Sequence, residues 1–304
     1  MKDLKRYLNG NQFFQLTVTI ILSIFLCIMV YPIIYVVSAS FSDPDAVKAG
    51  QLVLLPIRFT VQGYQYVFTN ADIWVGYSNT IFYTVFGTMV NLFVTLPCAY
   101  ALSRSEVVGR NKIMIFFMIT MYISGGLIPS YLNVKSFGLL NSRIYILIDG
   151  ALSVYNMIVA RTFFASTIPV EITEAARIDG CNDFSIFSKI VIPLSKAIMA
   201  VMVLYYGVGR WNSYFNAMIY LEDRKKYPLQ LFLREILIQS NLLASISADG
   251  GMTPEEMEII IKLSKSAELV KYCIIVVATL PMMIIYPKLQ KFFEKGVMIG
   301  SVKG

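Results

Sequence analysis

The 304-residue sequence contains no histidine. That one absence excludes histidine metal ligands, a Ser/His/Asp triad and a histidine proton relay. It also lacks a G-x4-GK[ST] phosphate loop, so the chain has no means of its own to hydrolyse ATP. Charge is scarce: 15% of residues are Asp, Glu, Lys or Arg, where a soluble domain carries about a quarter. The four cysteines, Cys27, Cys98, Cys181 and Cys273, have no spacing that implies a disulfide framework or a zinc site. Small buried apolar residues is the simpler reading of them.

What is there is apolar. Hydrophobic residues make up 57% of the chain, and the mean hydropathy is +0.64, which marks an integral membrane protein. The net charge of +7 then reads as lysine and arginine retained on the inner flanks of spans, not as a nucleic-acid surface. The pattern predicts an all-α membrane protein of one domain, 1–304, with six transmembrane helices at about 13–37, 77–102, 113–134, 144–164, 197–218 and 269–286. The first run is too long for a signal-peptide core and is read as a retained span. Gly125, Gly126 and Pro129 should break or bend the third near its outer end.

Charge tests the topology. With both termini in the cytoplasm, the short loops and tails hold 14 Lys and Arg inside against 4 outside. The external loop 222–268 carries most of the remaining cations and says little about orientation. Within it, Thr253-Pro254-Glu255-Glu256 predicts a capped helix running into Lys265.

One polar stretch has no counterpart elsewhere. Residues 167–194 read as two short helices joined by a tight turn, on the cytoplasmic side. Pro169 suits a first helical position, Glu171 and Glu174 suit the opening turns, and Gly180 suits a C-cap. Asn182 or Asp183 can cap the second helix, which should run until Pro193.

Glu174, Ala175, Ala176, Gly180, Ile190 and Pro193 follow the spacing E-A-A-x3-G-x9-I-x-x-P. Here the chain resembles the permease subunits of ATP-binding-cassette importers, whose signature is this EAA loop; Ile192 stands where the family usually has leucine. Ala99-Tyr100-Ala101-Leu102-Ser103-Arg104, Trp211-Asn212 and the tail Phe293-Glu294-Lys295-Gly296 resemble the carbohydrate-uptake branch. Gly125-Gly126-Leu127-Ile128-Pro129 and Gly296-Val297-Met298-Ile299-Gly300 resemble permeases that import oligosaccharides cut from polysaccharides.

The resemblance implies a type I importer permease fold, a multi-pass protein of the bacterial cytoplasmic membrane, and a coupling role for Glu174, Ala175, Ala176, Asp179, Gly180, Ile190 and Pro193. It also implies partners: a second homologous permease, two cytoplasmic ATPase subunits that bind ATP and Mg, and an extracellular or periplasmic sugar-binding protein. No cofactor and no nucleic acid are expected on this chain itself.

For the cargo path the candidates are polar or aromatic residues within spans: Arg210, Trp211, Asn212, Tyr214, Asn156 and Asp149. Aromatic faces suit sugar C–H surfaces and polar groups suit hydroxyls, although interhelical packing explains any single one equally well. Asp149 departs from the proline that relatives often have there, and Arg210 or Arg143 could pair with it. An ion-coupled secondary transporter is the alternative. It would need titratable groups deep in several spans and an internal repeat, and neither is evident.

Overall fold

A computed structural model of the chain describes residues 2–248, 259, 267–268 and 270–287. Apart from Ile259, the helix expected from Thr253 to Lys265 lies outside the described residues, as does the tail 288–304. All regular structure among the described residues is helical. Two compact units emerge, one of residues 1–70 and 233–277, the other of 71–232 and 278–304.

The first unit begins with α1 (Lys2–Ser40), followed by α2 (Pro44–Lys48) and α3 (Gln62–Thr69). Within the apolar stretch Gln12–Ser40 an 18-residue window has no buried residue, as in a helix facing lipid or another subunit, and only its last turn, Ser38 to Ser40, is buried. Asp43 caps α2 through Asp45 N and Ala46 N, with Pro44 at the position where a missing N–H costs nothing. Ala39, Val47 and Leu52 form a small core with Tyr35, Ile57 and Tyr272. Ser40 closes it, its hydroxyl 2.7 Å from Tyr64 Oη and its carbonyl accepting from Cys273 Sγ.

The second unit is built on α4 (Ala71–Ser103), a 33-residue helix. It continues through α5 (Arg110–Tyr122), α6 (Leu127–Ser136), α7 (Arg143–Ile148), α8 (Val154–Thr167) and α9 (Val170–Ile178). Then come α10 (Asp183–Leu194), α11 (Lys196–Trp211) and α12 (Phe215–Tyr220). In the chain α13 (Leu229–Ala248) and α14 (Val270–Pro287) follow, and their residues within 233–277 belong to the first unit. The helices α7, α8 and α11 all pack on α4. Leu96, Ala99, Met157, Ala160, Phe164 and Met202 are the centre of the shared core.

Among the described residues three helices are long and apolar enough to cross a membrane, Gln12–Ser40, Ala71–Ser103 and Val270–Pro287; two bent pairs raise the number to five. The pair α5 and α6 turns by 113°, at Gly125 and Gly126, where Gly126 has φ +83°. The pair α10 and α11 turns by 84°. The stretch 144–164 is divided: α7 ends at Ile148 and α8 begins at Val154, with Gly150 at φ +60° between them. Within the stretch 222–268, α13 is a helix of 20 residues. Its start is fixed by burial of Leu229, Leu231 and Phe232 and by Thr80 Oγ1, which accepts from Leu229 N at 2.8 Å. Gly76 permits that approach: a Cβ there would sit 3.0 Å from Leu229 Cα.

Candidate functional site

The helices α9 and α10 occupy the stretch that carries the E-A-A spacing. Pro169 stands one residue before the helix, at the N-cap, and not inside its first turn. The turn after α9 is a Schellman motif: Gly180 N donates to Arg177 O and Cys181 N to Ala176 O. Gly180 is at φ +83°, a conformation that a Cβ disfavours. Asn182, rather than Asp183, caps α10, accepting from Ser185 N at 2.8 Å.

Pro193 does not stop α10, which runs one residue further. The turn Phe187–Val191 widens to π geometry instead. A proline ring crowds the carbonyl four residues back and leaves it without its donor, and a wider turn relieves both.

The two faces of α9 differ. Thr173 and Ala176 are buried, and Ala176 belongs to the same core as Phe164 and Met202. Ala176 therefore seats α9 on its own chain, leaving Glu174, Ala175, Ile178, Asp179 and Gly180 exposed. Among the described residues Glu174 makes no hydrogen bond or ion pair. On α10, Ile190 is half-buried against the core and Pro193 is exposed.

Arg177 reaches sideways from α9. Its guanidinium donates to Glu106 at 2.5 Å, in the turn after α4, and to Asp183 at 3.1 Å, in the first turn of α10. The hydrogen bond to Glu106, then that to Asp183, raises the arginine's pKa. Beneath them two arginines cap neighbouring helices crosswise. Arg104, at the end of α4, donates to Phe164 O of α8 at 3.0 Å. Arg161 of α8 donates to Leu102 O of α4 at 2.9 Å. Each satisfies a carbonyl of a last turn and places a cation at the negative end of a helix.

The path candidates fall into two groups. Arg210 is half-buried and held by its own chain: it donates to Ile146 O at 2.6 Å, Leu147 O at 3.0 Å, Asp149 O at 2.6 Å and Asn91 Oδ1 at 3.0 Å. Gly87 makes the space, since a Cβ there would lie 2.9 Å from Arg210 Nε. Asn91, fully buried, donates to Gly150 O at 2.6 Å and Ala151 O at 2.9 Å. Tyr206 Oη accepts from Ser153 N at 3.1 Å and lies 2.7 Å from Thr95 Oγ1. The Asp149 carboxylate pairs with neither arginine; Asn216 and Tyr145 donate to it.

Trp211 is enclosed, with 4% of its surface exposed. Its indole N–H donates to Ala278 O at 3.0 Å and its ring meets Tyr77 edge-on. Asn156 is buried at the start of α8. Asn212 and Tyr214, by contrast, are exposed in the break between α11 and α12. A recess of about 20 Å³ lies among Thr80, Tyr83, Asp149, Arg210 and Asn216. That is room for about one water and not for a sugar ring.

Nothing local in the sequence pointed to Glu106, Asn79 or Tyr206. Asn79 donates to Lys225 O and Tyr227 O at 2.8 and 3.0 Å and accepts from Arg143 at 3.0 Å. Tyr83 donates to Lys226 O at 2.8 Å. The loop before α13 is thus held to α4 through its main chain. The pairing partners lie more than 140 residues apart, beyond any spacing rule.

No protein-family model matches the chain. It is 39% identical over 295 residues to the polygalacturonan/rhamnogalacturonan transport system permease protein YtcP of Bacillus subtilis (strain 168), covering 97% of this chain and 99% of that protein. Protein LplC of the same organism is 38% identical over 279 residues, 91% of this chain and 90% of that one. A chain in the crystal structure of a bacterial ABC transporter involved in the import of the acidic polysaccharide alginate superposes with a TM-score of 0.80 at 37% identity, covering 93% of this chain and 98% of that one.

Proposed function

This chain belongs to the permease subunits of binding-protein-dependent ATP-binding-cassette sugar importers, and on that footing we propose that its cargo is an oligosaccharide bearing uronate carboxylates. The observation that carries the cargo class is the pair of named relatives: at 39% and 37% identity over nearly the whole chain, one serves polygalacturonan/rhamnogalacturonan and the other the acidic polysaccharide alginate. The ion-coupled alternative finds no support among these relatives.

In this reading the chain crosses the bacterial cytoplasmic membrane six times, with both termini in the cytoplasm, and supplies half of the path. The pair α5 and α6, the divided stretch 144–164, and α11 with α12 would then each count as one crossing, with α10 left in the cytoplasmic hairpin. A second homologous permease supplies the other half. Two ATPase subunits hold ATP and Mg, and a sugar-binding protein delivers cargo from outside.

The exposed face of α9 is the docking surface for an ATPase subunit. Glu174 offers an unpaired carboxylate there, and Ala175 and Gly180 add no bulk between the two surfaces. Ala176, Ile190 and the Schellman turn hold that face in place. Hydrolysis takes place in the partner, and this chain turns its motion into alternating access.

The test is uptake by vesicles carrying the full complex, with labelled oligogalacturonate, a neutral oligosaccharide of the same length, and the binding protein supplied from outside. ATP-dependent uptake that favours the uronate supports the cargo class. Preference for the neutral sugar overturns it. Uptake by vesicles containing this chain alone overturns the multisubunit assignment.

A further inference from the structure

Arg210 is the cation that the sequence places deepest in a span, yet four of the five N–H groups of its guanidinium are taken by its own chain. We propose that Arg210, with Asn91, is a positioning residue: the two clamp the unwound backbone 149–153 so that α4, α7, α8 and α11 travel as one body during transport. The proposal rests on the importer role and says how the permease moves within it.

Non-helical backbone at membrane depth survives only where its polar groups find partners inside the protein. Here they do. Arg210 of α11 serves Ile146 O, Leu147 O and Asp149 O; Asn91 of α4 serves Gly150 O and Ala151 O; and Tyr206 of α11 takes the N–H of Ser153. The clamp is tied to itself by Arg210 Nε donating to Asn91 Oδ1.

Three features argue for a lock over a hinge. The partners come from two other helices, α4 and α11, so opening the break between α7 and α8 would cost bonds to both together. Arginine presents a planar fork that serves several carbonyls at once, which a lysine ammonium does not reproduce. Gly87 leaves a slot of the right depth for that fork. The neighbouring recess of about 20 Å³ is room for about one water.

The decisive measurement uses the full complex with Cys27, Cys98, Cys181 and Cys273 replaced. New cysteines at Phe82 of α4 and Leu147 of α7 flank one apolar cluster; a short bifunctional thiol reagent can join them. In the otherwise wild-type chain the bridge leaves uptake unchanged. Arg210→Ala lowers turnover at least about tenfold by stripping buried carbonyls of their donors, while half-saturation by loaded binding protein stays put. Adding the bridge to Arg210→Ala restores turnover.

A bridge that stops wild-type uptake, reversibly on cleavage, makes the segment a hinge and overturns the proposal. So does normal turnover in Arg210→Ala, or failure of the bridge to rescue it. If Arg210→Ala does not assemble, Gly87→Ala takes its place, since it pushes the guanidinium aside and leaves every polar group intact. Absence of ATP-driven uptake by the unmodified complex would strike the importer role instead, and is read separately.

Discussion

Arg177 of α9 meets Glu106 at 2.5 Å, joining the exposed E-A-A helix to the turn that closes α4. Both side chains are partly exposed, so the pair adds little to folding. In the proposed coupling, a push on α9 would reach α4 through this charged contact as well as through Ala176 in the core.

Reversing the pair tests that link. Glu106→Arg and Arg177→Glu should each weaken stimulation of the ATPase by loaded binding protein, with the melting temperature nearly unchanged. The double reversal should recover stimulation; failure to recover it would leave Arg177 with Asp183 alone. On the arginine side no pH effect is expected. Its pKa is raised, so its contribution is complete below the ordinary arginine value and is lost only as pH climbs through the still higher folded value. Stimulation measured from pH 6 to 9 should show no step from Arg177.

Gly180→Ala should cost about 1–2 kcal/mol locally, because φ +83° is held by the Schellman bonds and a Cβ opposes it. Co-purification of the ATPase subunits should fall while insertion is normal. Glu174→Ala should reduce the same association without touching the turn. Full co-purification from both variants would remove α9 from the docking surface.

Trp211→Ala should act on stability before it acts on cargo. The indole is buried and its N–H serves Ala278 O, so truncation should cost about 3–5 kcal/mol. Trp211→Phe, which loses the indole hydrogen bond and part of the ring volume, should cost less, about 1–3 kcal/mol. Thermal unfolding of the purified complex gives the order. A raised half-saturation for cargo with unchanged unfolding would return the indole to the path.

Asn79→Ala should loosen the loop before α13. Three bonds are lost at once, to Lys225 O, Tyr227 O and Arg143. Limited trypsin digestion at Arg224-Lys225-Lys226 should accelerate, by about tenfold if one to two kcal/mol of protection goes. An unchanged rate would mean that the other contacts, from Tyr83, Thr80, Asn141 and Asp72, hold the loop without Asn79.

The sequence by itself determined the membrane class, the helical class and the special status of 167–194. Each depends on residues close in the chain: apolar runs, a glycine that accepts positive φ, an asparagine that caps its own helix. It also placed Gly125 and Gly126 at a break. The tertiary structure decided what the polar residues inside the spans do. Arg210 and Trp211 have the chemistry of a sugar site, yet their partners are Ile146, Leu147, Asp149, Asn91 and Ala278, all at least 61 residues away. Periodicity shows that a residue lies in a span. Only the packing of α4 against α7, α8 and α11 shows whether its hydrogen bonds are left over for a cargo, because in a medium without water each group takes whichever partner the fold brings to it.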